Sequence, residues 1–280
     1  MALTNFIPAV WSASLLTNLQ KSLVFGNLAN RDYEGEVAGA GSTVNINAIG
    51  AVTVGAYTKD TNHTAPETLT STQSVLSIDQ QKFFNLQIDD VDKAQTVPKV
   101  MEAAMAEAGY ALANDVDTYI SGLHASASSS NLVGSTGTPT ALTSANAYET
   151  LVSMAKLLSI SNATKQGRWV ALPPQWVALL LADSRFVASG AAEGDARLQN
   201  GLVGRTAGFD IYETNNTTVV SSTKYKVLAG TPQAITLASQ VDSVVAYRPE
   251  LRFADAVKGL LVYGSKVVRP ECLACATVTF

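Results

Sequence analysis

Two stretches of alternating apolar and polar residues near the start of the chain limit most strongly what it can fold into. In residues 43–57, Val44 and Ile46 alternate with polar neighbours, and residues 73–88 repeat the pattern. A period of two is typical of β-strands, because successive side chains point to opposite faces of a sheet. Residues 58–72, between the two stretches, are rich in Thr and have the composition of a loop. The pattern therefore predicts one long β-hairpin.

The length of this hairpin matters because it rivals the width of the molecule. Strands of about 15 residues, at about 3.4 Å per residue, extend about 50 Å. A compact globule of 280 residues is itself about 50 Å wide. An isolated two-stranded ribbon is marginally stable in water and its edges invite pairing, so a protruding hairpin is expected to lie on another surface. The alternative is that the two stretches are core strands of an ordinary sheet.

The rest of the chain separates helical patterns from strand patterns. Trp11 opens an apolar stripe that predicts a helix over residues 8–23, either part of the core or an arm that lies on a neighbour. The longest helix is predicted over residues 96–123, with a buried apolar stripe that includes Ala111, Leu112, Val116 and Ile120. Further helices are predicted over residues 144–161 and 175–183, and strands over residues 168–172, 209–213, 224–229, 241–247 and 259–280, the last broken at Pro270. This segregation predicts an α+β fold.

Charge and hydropathy exclude several classes of protein. The net charge is −4 and Lys and Arg are not clustered, which argues against a chain that grips nucleic-acid phosphates. Neither a secretion signal nor an apolar run long enough to cross a membrane is visible, so we expect a soluble chain made in the cytosol. Charged residues make up 15% of the chain, against about 25% in ordinary soluble proteins. The missing charges are expected where other copies of the chain sit.

The residues that usually carry chemistry are scarce. The two histidines stand apart, His63 in the predicted loop and His124 at the end of the longest helix. Cys272 and Cys275 are predicted to be buried thiols, because residues three apart in a strand point to opposite faces. The glycine-rich residues 39–43 precede a strand and lack the ending of a phosphate-binding loop. We therefore expect no enzyme, no catalytic residue, no bound cofactor and no metal.

One acidic cluster, formed by Asp89, Asp90 and Asp92, has two interpretations. Carboxylates at this density can hold a hard cation, but the Gly and the closing Glu of a calcium loop are missing. The other interpretation is a solvated face or the partner of an Arg on another subunit, which makes the cluster a candidate intersubunit contact. The complete set of candidate intersubunit contacts is Trp11, Arg31, Tyr33, Lys59, Asp89, Asp90 and Asp92.

Four segments give the chain a resemblance to a known family. They are FGNLANRDYEG at residues 25–35, residues 84–95, GFDIYETN at residues 208–215, and residues 264–280, which end in VVRPECLACATVTF. The sequences of these segments and their order along the chain resemble those of the major capsid proteins of tailed bacteriophages with the Hong Kong-97-like fold. The resemblance covers nearly the whole chain.

The resemblance implies an architecture and a function. It implies an N-terminal arm (residues 1–37), an extended hairpin loop (38–88), a peripheral domain with the long spine helix (89–135 and 250–280) and an axial domain (136–249). It also implies a virion protein that assembles in the host cytoplasm into pentamers and hexamers of an icosahedral shell. Such a shell encloses double-stranded DNA without sequence-specific binding and without a membrane.

Two features of some family members are not expected here. The arm begins at Met1, so the scaffold is expected to be a separate protein, alongside portal and decoration proteins. Lys59 is the one Lys in the hairpin tip, but no partner for an isopeptide crosslink can be matched by motif. The alternatives are an encapsulin-like bacterial nanocompartment shell and a surface-layer or adhesive structural protein.

Overall fold

The computed structural model describes residues 25–33, 43–49, 52–60, 62, 67–68, 71–89, 100–183, 204–221 and 223–280. In these ranges the helices are α1 (Phe25–Leu28), α2 (Val100–Gly122), α3 (Ala147–Ile160) and α4 (Pro174–Leu181). The strands are β1 (Thr43–Ile49), β2 (Ser71–Ser77), β3 (Gln80–Asp89), β4 (Leu132–Val133), β5 (Thr140–Ala141), β6 (Trp169–Leu172), β7 (Arg205–Thr206), β8 (Phe209–Glu213), β9 (Thr218–Val220), β10 (Lys224–Gly230), β11 (Ile235–Tyr247), β12 (Ala254–Val267) and β13 (Leu273–Thr279). Most strand pairs in these ranges are antiparallel, and the fold is α+β, although helix and strand alternate between residues 147 and 213. The predicted helix over residues 8–23 lies outside the described residues.

The largest sheet joins strands from the second half of the chain. Its strand order is β4-β13-β10-β6-β8-β7, with β5 added beside β13 and β9 beside β10. β10 and β13 are antiparallel, whereas β6 and β8 are parallel. α3 and α4 cover this sheet with fully buried Leu151, Met154 and Trp176. The sheet and its two helices form one apolar core.

A second sheet of three long strands stands beside the first, in the order β11-β12-β3. One of its faces packs on α2, where Met105 contacts the cluster formed by Val244 and Val257. A buried row on α2, formed by Leu112, Val116 and Ile120, continues into the core of the larger sheet. The spacing of four in this row is the apolar stripe expected of an amphipathic helix.

The helix and strand predictions for this part of the chain are largely confirmed. The predicted strand over residues 209–213 matches β8, and the predicted break at Pro270 is a short 3-10 helix, Pro270–Cys272. The strand predicted over residues 241–247 is the end of the longer β11. Ala111, which was placed in the buried stripe of α2, is exposed instead. Ala113 is buried there, and small side chains give little signal about which face of a helix is covered.

The predicted long hairpin is half right. β1 and β2 are antiparallel over seven residue pairs, from Thr43 and Ser77 to Ile49 and Ser71, which corresponds to about 24 Å rather than 50 Å. Residues 52–57 were predicted as strand but have no regular secondary structure. The second stretch is divided, because the chain changes sheets at residues 78–79 and β3 pairs with β12. The alternating pattern is the same on both sides of this step, so it could not reveal the change of partner.

Candidate assembly surfaces

The β1–β2 hairpin is held on the three-stranded sheet by its apolar face. Val44, Ile46, Leu76 and Ile78 are buried against Ala238 and Val262 of that sheet. They alternate with exposed Asn45, Asn47 and Ser77, as expected for a ribbon covered on one side. A Cβ at Gly264 of β12 would meet the backbone carbonyl oxygen of Ser77 and the Cα of Ile78. The absence of a side chain at Gly264 is what allows this close approach.

The segment that follows β1 extends away from this packed base. All nine residues from 52 to 60 are exposed, including Val54 at 93% and Tyr57 at 73%. Glu67 ties this segment to the returning chain, because its carboxylate accepts hydrogen bonds from the amide of Thr53 (3.0 Å) and from its hydroxyl (3.3 Å). Lys59 is exposed in the turn that ends the segment. Apolar side chains in this position make the segment a candidate contact surface.

A second exposed apolar surface lies on the three-stranded sheet and its connecting turn. Leu251 and Phe253, in the turn between β11 and β12, are 97% and 82% exposed. Phe83 of β3 is 76% exposed on the face opposite to α2. Residues paired across neighbouring strands share a face of the sheet. Asn85 lies two positions after Phe83 and therefore on the same face, and it pairs with Lys258, which pairs with Val245. Val245 is thus on the same face as Phe83. Exposed side chains of this size are common at protein interfaces.

The residues after α1 tie the start of the described chain to the core. The amide of Asn30 donates to the Ile235 carbonyl (2.8 Å), and the amide of Leu237 donates to the Asn30 carbonyl (2.9 Å). The amide of Phe25 donates to the buried carboxylate of Asp117 in α2 (3.1 Å). These hydrogen bonds hold α1 and the residues after it against α2 and β11.

The predicted contact residues are distributed over several elements. Arg31 donates a hydrogen bond to the Gly26 carbonyl (3.0 Å), and Tyr33 packs against the buried apolar residues between the β1–β2 hairpin and the three-stranded sheet. Both residues therefore have partners within the subunit. Lys59 lies in the exposed segment, and Asp89 is the last residue of β3, opposite Ala254. Trp11, Asp90 and Asp92 lie outside the described residues. The role of these seven residues between subunits stays a prediction.

The polar groups that usually carry chemistry are dispersed or occupied. In the described residues, no group of three or more His, Cys, Asp or Glu side chains could hold a metal ion. His124 is half-buried and its Nδ1 is 3.3 Å from the Ser121 carbonyl oxygen, and burial lowers its pKa. Tyr263 donates to Asp115 (2.7 Å), whose carboxylate also faces Lys82 (3.3 Å). Burial, followed by this hydrogen bond, raises the pKa of Tyr263 far above its ordinary value.

The cysteines follow the prediction in part. Cys275 is buried in β13, and burial raises its pKa to about 11. Cys272 is half-buried at the end of the Pro270–Cys272 turn, because β13 begins one residue later than it. Both cysteines are free thiols.

Membrane insertion through a helix finds no support in the described part of the chain. None of the helices there combines the length and the apolar character needed to cross a bilayer.

Comparison with known proteins decides which family has this arrangement. A family model described as phage capsid protein matches residues 74–276. The chain belongs to the phage capsid protein family. It is the major capsid protein of a tailed bacteriophage, and its fold is the Hong Kong-97-like fold predicted from the four sequence segments. No match is found among curated proteins.

Solved structures resemble this capsid protein over nearly its whole length. A structure from Mycobacterium phage Che8 is 30% identical, with a TM-score of 0.74, covering 91% of this chain and 90% of that chain. The capsid structure of cyanophage P-SCSP1u is 18% identical, with a TM-score of 0.73, covering 92% and 88%. A virus-like particle from Pyrococcus furiosus, at 14% identity and a TM-score of 0.57, covers 95% and 97% and shares the fold. The nanocompartment and surface-layer alternatives are not favoured.

Sequence reasoning missed the second exposed apolar surface of this capsid protein. Leu251 and Phe253 stand in the segment PELRF, residues 249–253, between the strands predicted over residues 241–247 and 259–280. Two large apolar residues in a turn are the available signal, because turns normally carry Gly, Asn, Asp and Ser. Phe83 carried a weaker signal, since it neighbours the inward Phe84 and breaks the alternation.

Proposed function

We propose that copies of this capsid protein join in pentamers and hexamers that close into an icosahedral shell around a double-stranded DNA genome. The observation that carries the proposal is the exposed segment of residues 52–60 beyond a firmly packed hairpin base. Fully burying a side chain such as Val54 contributes about 1.5–3 kcal/mol, and this gain is not used within a single subunit. The segment of one copy therefore lies over a neighbouring copy.

The proposed division of the subunit follows the sheets. Residues 1–37 are the arm and residues 38–88 the extended hairpin loop. The three-stranded sheet and α2 correspond to the peripheral domain, residues 89–135 and 250–280, to which residues 38–88 contribute β3 and residues 136–249 contribute β11. The larger sheet with α3 and α4 corresponds to the axial domain, residues 136–249, near the centre of the capsomer. β13 returns from the peripheral part into the larger sheet, which couples the two domains.

The proposed contacts between subunits are of two kinds. The apolar contacts use the exposed segment and the surface around Phe83, Leu251 and Phe253. The polar contacts use the arm with Trp11, the residues Arg31 and Tyr33, Lys59, and the acidic cluster Asp89, Asp90 and Asp92. The pairing of that cluster with cations of a neighbour is supported by the low charge of the chain, 15% of residues.

The proposed partners beyond other copies are a separate scaffold protein, a portal and decoration proteins. The genome is held by enclosure, since the net charge of −4 gives little general attraction to phosphates. Assembly takes place in the host cytoplasm, and the protein acts as a structural component rather than as an enzyme. Lys59 forms no isopeptide crosslink in this proposal, so mature shells run as monomers on a denaturing gel.

Assembly can be tested with a variant that lacks residues 52–68, which removes the exposed segment and leaves β1 and β2 whole. The wild-type chain, with scaffold where needed, is expected to form closed shells in electron microscopy. The deletion variant is expected to remain folded by circular dichroism and to form few or no shells, because β1 and β2 keep their partners while the exposed segment is lost. A deletion variant that assembles normally, or wild-type chains that stay monomeric under all assembly conditions, would contradict the proposal.

A further inference from the structure

A basic groove lies on the larger-sheet part of the subunit, between α3 and the turn that joins β7 to β8. Its volume is about 340 Å³. Lys156, Lys165 and Arg168 line it, together with Val152, Ser159 and Gly208. Both lysines are exposed, and none of the described lining residues is acidic. Three cations around one concave surface create a positive potential that favours an anion.

Arg168 makes this groove different from a chance pair of surface lysines. Its side chain is 3% exposed, and all its hydrogen bonds go to neutral oxygens. Nε donates to the Thr164 carbonyl (2.8 Å), and Nη2 donates to the Ala163 carbonyl (2.8 Å). Nη1 donates to the Ala155 carbonyl (3.2 Å) and to the Ser159 hydroxyl (3.0 Å). These bonds fix the guanidinium at the wall of the groove but leave its charge uncompensated.

The carboxylate that follows the groove turn in sequence is paired with another cation. Asp210, in the strand that follows Gly208, lies 3.4 Å from Arg205 and is paired there. Neither Lys156 nor Lys165 has a hydrogen bond or an ion pair with any described residue. A positive groove whose charges are not paired within the subunit is suited to a carboxylate or a phosphate from outside.

The distribution of charge along the chain favours a carboxylate of another copy. Residues 1–135 carry 13 Asp and Glu against six Lys and Arg, whereas residues 136–280 carry ten against 13. The groove therefore belongs to the basic half of a chain whose other half is acidic. Gripping a nucleic-acid strand takes a row of cations along successive phosphates, and three cations in one pocket do not form such a row. In a shell, neighbouring copies also present their acidic halves at a high effective concentration.

We propose that this groove is an intersubunit anion site, in which Lys156, Lys165 and Arg168 of one copy receive Asp or Glu side chains from the acidic half of a second copy. The proposal rests on the assembly proposed above and adds the position and chemistry of one contact. The buried Arg168 supplies a fixed charge, and the two lysines supply mobile donors at the rim.

Carbodiimide coupling of wild-type shells tests the site directly. The reagent activates a carboxylate, and a Lys amine in contact with it then forms an amide bond. Shells assembled from equal amounts of ¹⁴N-labelled and ¹⁵N-labelled chains are treated, digested and analysed by mass spectrometry. We expect Lys156 or Lys165 to be joined to an Asp or Glu within residues 1–135, with ¹⁴N–¹⁵N pairs that show a link between two chains.

A charge-reversal series gives an independent readout. Lys156→Glu is expected to lower the yield of shells about tenfold or more at low salt, because the groove then repels its partner. Arg269→Glu reverses a charge of the same sign at an exposed site outside the groove and outside the two proposed contact surfaces, where the side chain makes a long hydrogen bond to Gln233 (3.4 Å); it is the matched control, with a yield within about twofold of wild type. Both variants should unfold at the same temperature as wild type when dissociated.

The outcomes separate this proposal from the proposed function. Shells whose groove lysines couple only within one chain, or not at all, overturn the groove assignment and leave the shell function intact. Groove lysines that are protected from acetylation in DNA-filled shells but reactive in empty ones assign the site to nucleic acid and also overturn it. Wild-type chains that form no shells overturn the proposed function, and the groove proposal with it.

Discussion

The packing of the hairpin base against the three-stranded sheet can be broken by one methyl group. In Gly264→Ala, the new Cβ would occupy space held by the carbonyl oxygen of Ser77 and would lie 2.9 Å from the Cα of Ile78. Both are backbone atoms, so no side-chain rotation relieves the overlap. The hairpin must move away from the sheet, and Leu76 with its neighbours then loses part of its contact with Ala238 and Val262.

The magnitude follows from two contributions. Overpacking a close contact costs about 1–3 kcal/mol, and partial exposure of Leu76 and Ile78 adds a fraction of the about 1.5–3 kcal/mol that each gains from burial. We expect a loss of about 2–4 kcal/mol. At about 2.1 cal/mol/K per residue, the unfolding entropy of 280 residues is about 0.6 kcal/mol/K. The predicted fall in Tm is therefore about 3–7 °C.

Calorimetry on dissociated subunits provides the assay, and limited proteolysis shows where the change occurs. Gly55→Ala is the matched control, because a Cβ at Gly55 meets nothing within 4 Å, and its Tm should stay within about 1 °C of wild type. In Gly264→Ala, cleavage should accelerate within the β1–β2 hairpin before other sites. A Gly264→Ala subunit with the Tm and the protease pattern of Gly55→Ala would refute the close approach of hairpin and sheet.

Three further predictions concern other parts of the subunit. Ala207→Asn should raise Tm by about 1–2 °C in calorimetry, since Ala207 (φ 49°) and Gly208 (φ 85°) form a left-handed two-residue turn that Asn-Gly adopts more readily than Ala-Gly. A lower Tm would contradict the turn assignment. Cys275 should resist iodoacetamide at about pH 8 until urea unfolds the subunit, because a pKa raised from 9.0 to about 11 leaves about 100-fold fewer thiolates. Half-buried Cys272 should react first, and equal alkylation rates of the two cysteines in mass spectrometry would refute the prediction. Burial lowers the pKa of His124 below 6.5, so the unfolded chain binds the proton more readily and the stability of the subunit should fall as pH drops below about 6.5. In His124→Gln the urea midpoint should change less between about pH 7 and pH 5 than in wild type, and an unchanged pH dependence would contradict the prediction.

Sequence reasoning was most successful for helices and strands that are buried along one side and exposed along the other. The spacing of Leu112, Val116 and Ile120 identified the buried side of α2, and alternation identified the covered face of β1. Both signals arise from burial on one side, which periodicity reports directly. The α+β class followed from the segregation of these patterns.

Alternation of apolar and polar residues failed to predict strand pairing where two consecutive strands have the same alternation but belong to different sheets. β2 and β3 alternate alike, yet β2 pairs with β1 and β3 with β12. The partner of a strand depends on contacts between residues far apart in sequence, which alternation does not report; the close approach of the hairpin to Gly264 of β12 is one such contact. Residues 52–57 alternate as well, but alternation without a partner strand does not make a sheet.

The candidate surfaces were predictable to a smaller extent. Low charge directs attention to interfaces between copies, but it does not say where they are. The exposed apolar surface around Phe83, Leu251 and Phe253 required the strand register, and the basic groove required Lys156 and Arg168, twelve positions apart in sequence, to meet across a turn. The acidic cluster at residues 89–92 was visible in the sequence, whereas its partner was not.

The central claim is that the exposed segment of one copy lies on a neighbour in a closed shell. A cryo-electron microscopy map of assembled particles measures this directly, because density can be traced from β1 through residues 52–60. The account predicts a closed icosahedral particle in which Val54 and Tyr57 contact an adjacent subunit. A closed particle in which these residues fold back on their own subunit, or point into solvent without contact, would contradict it.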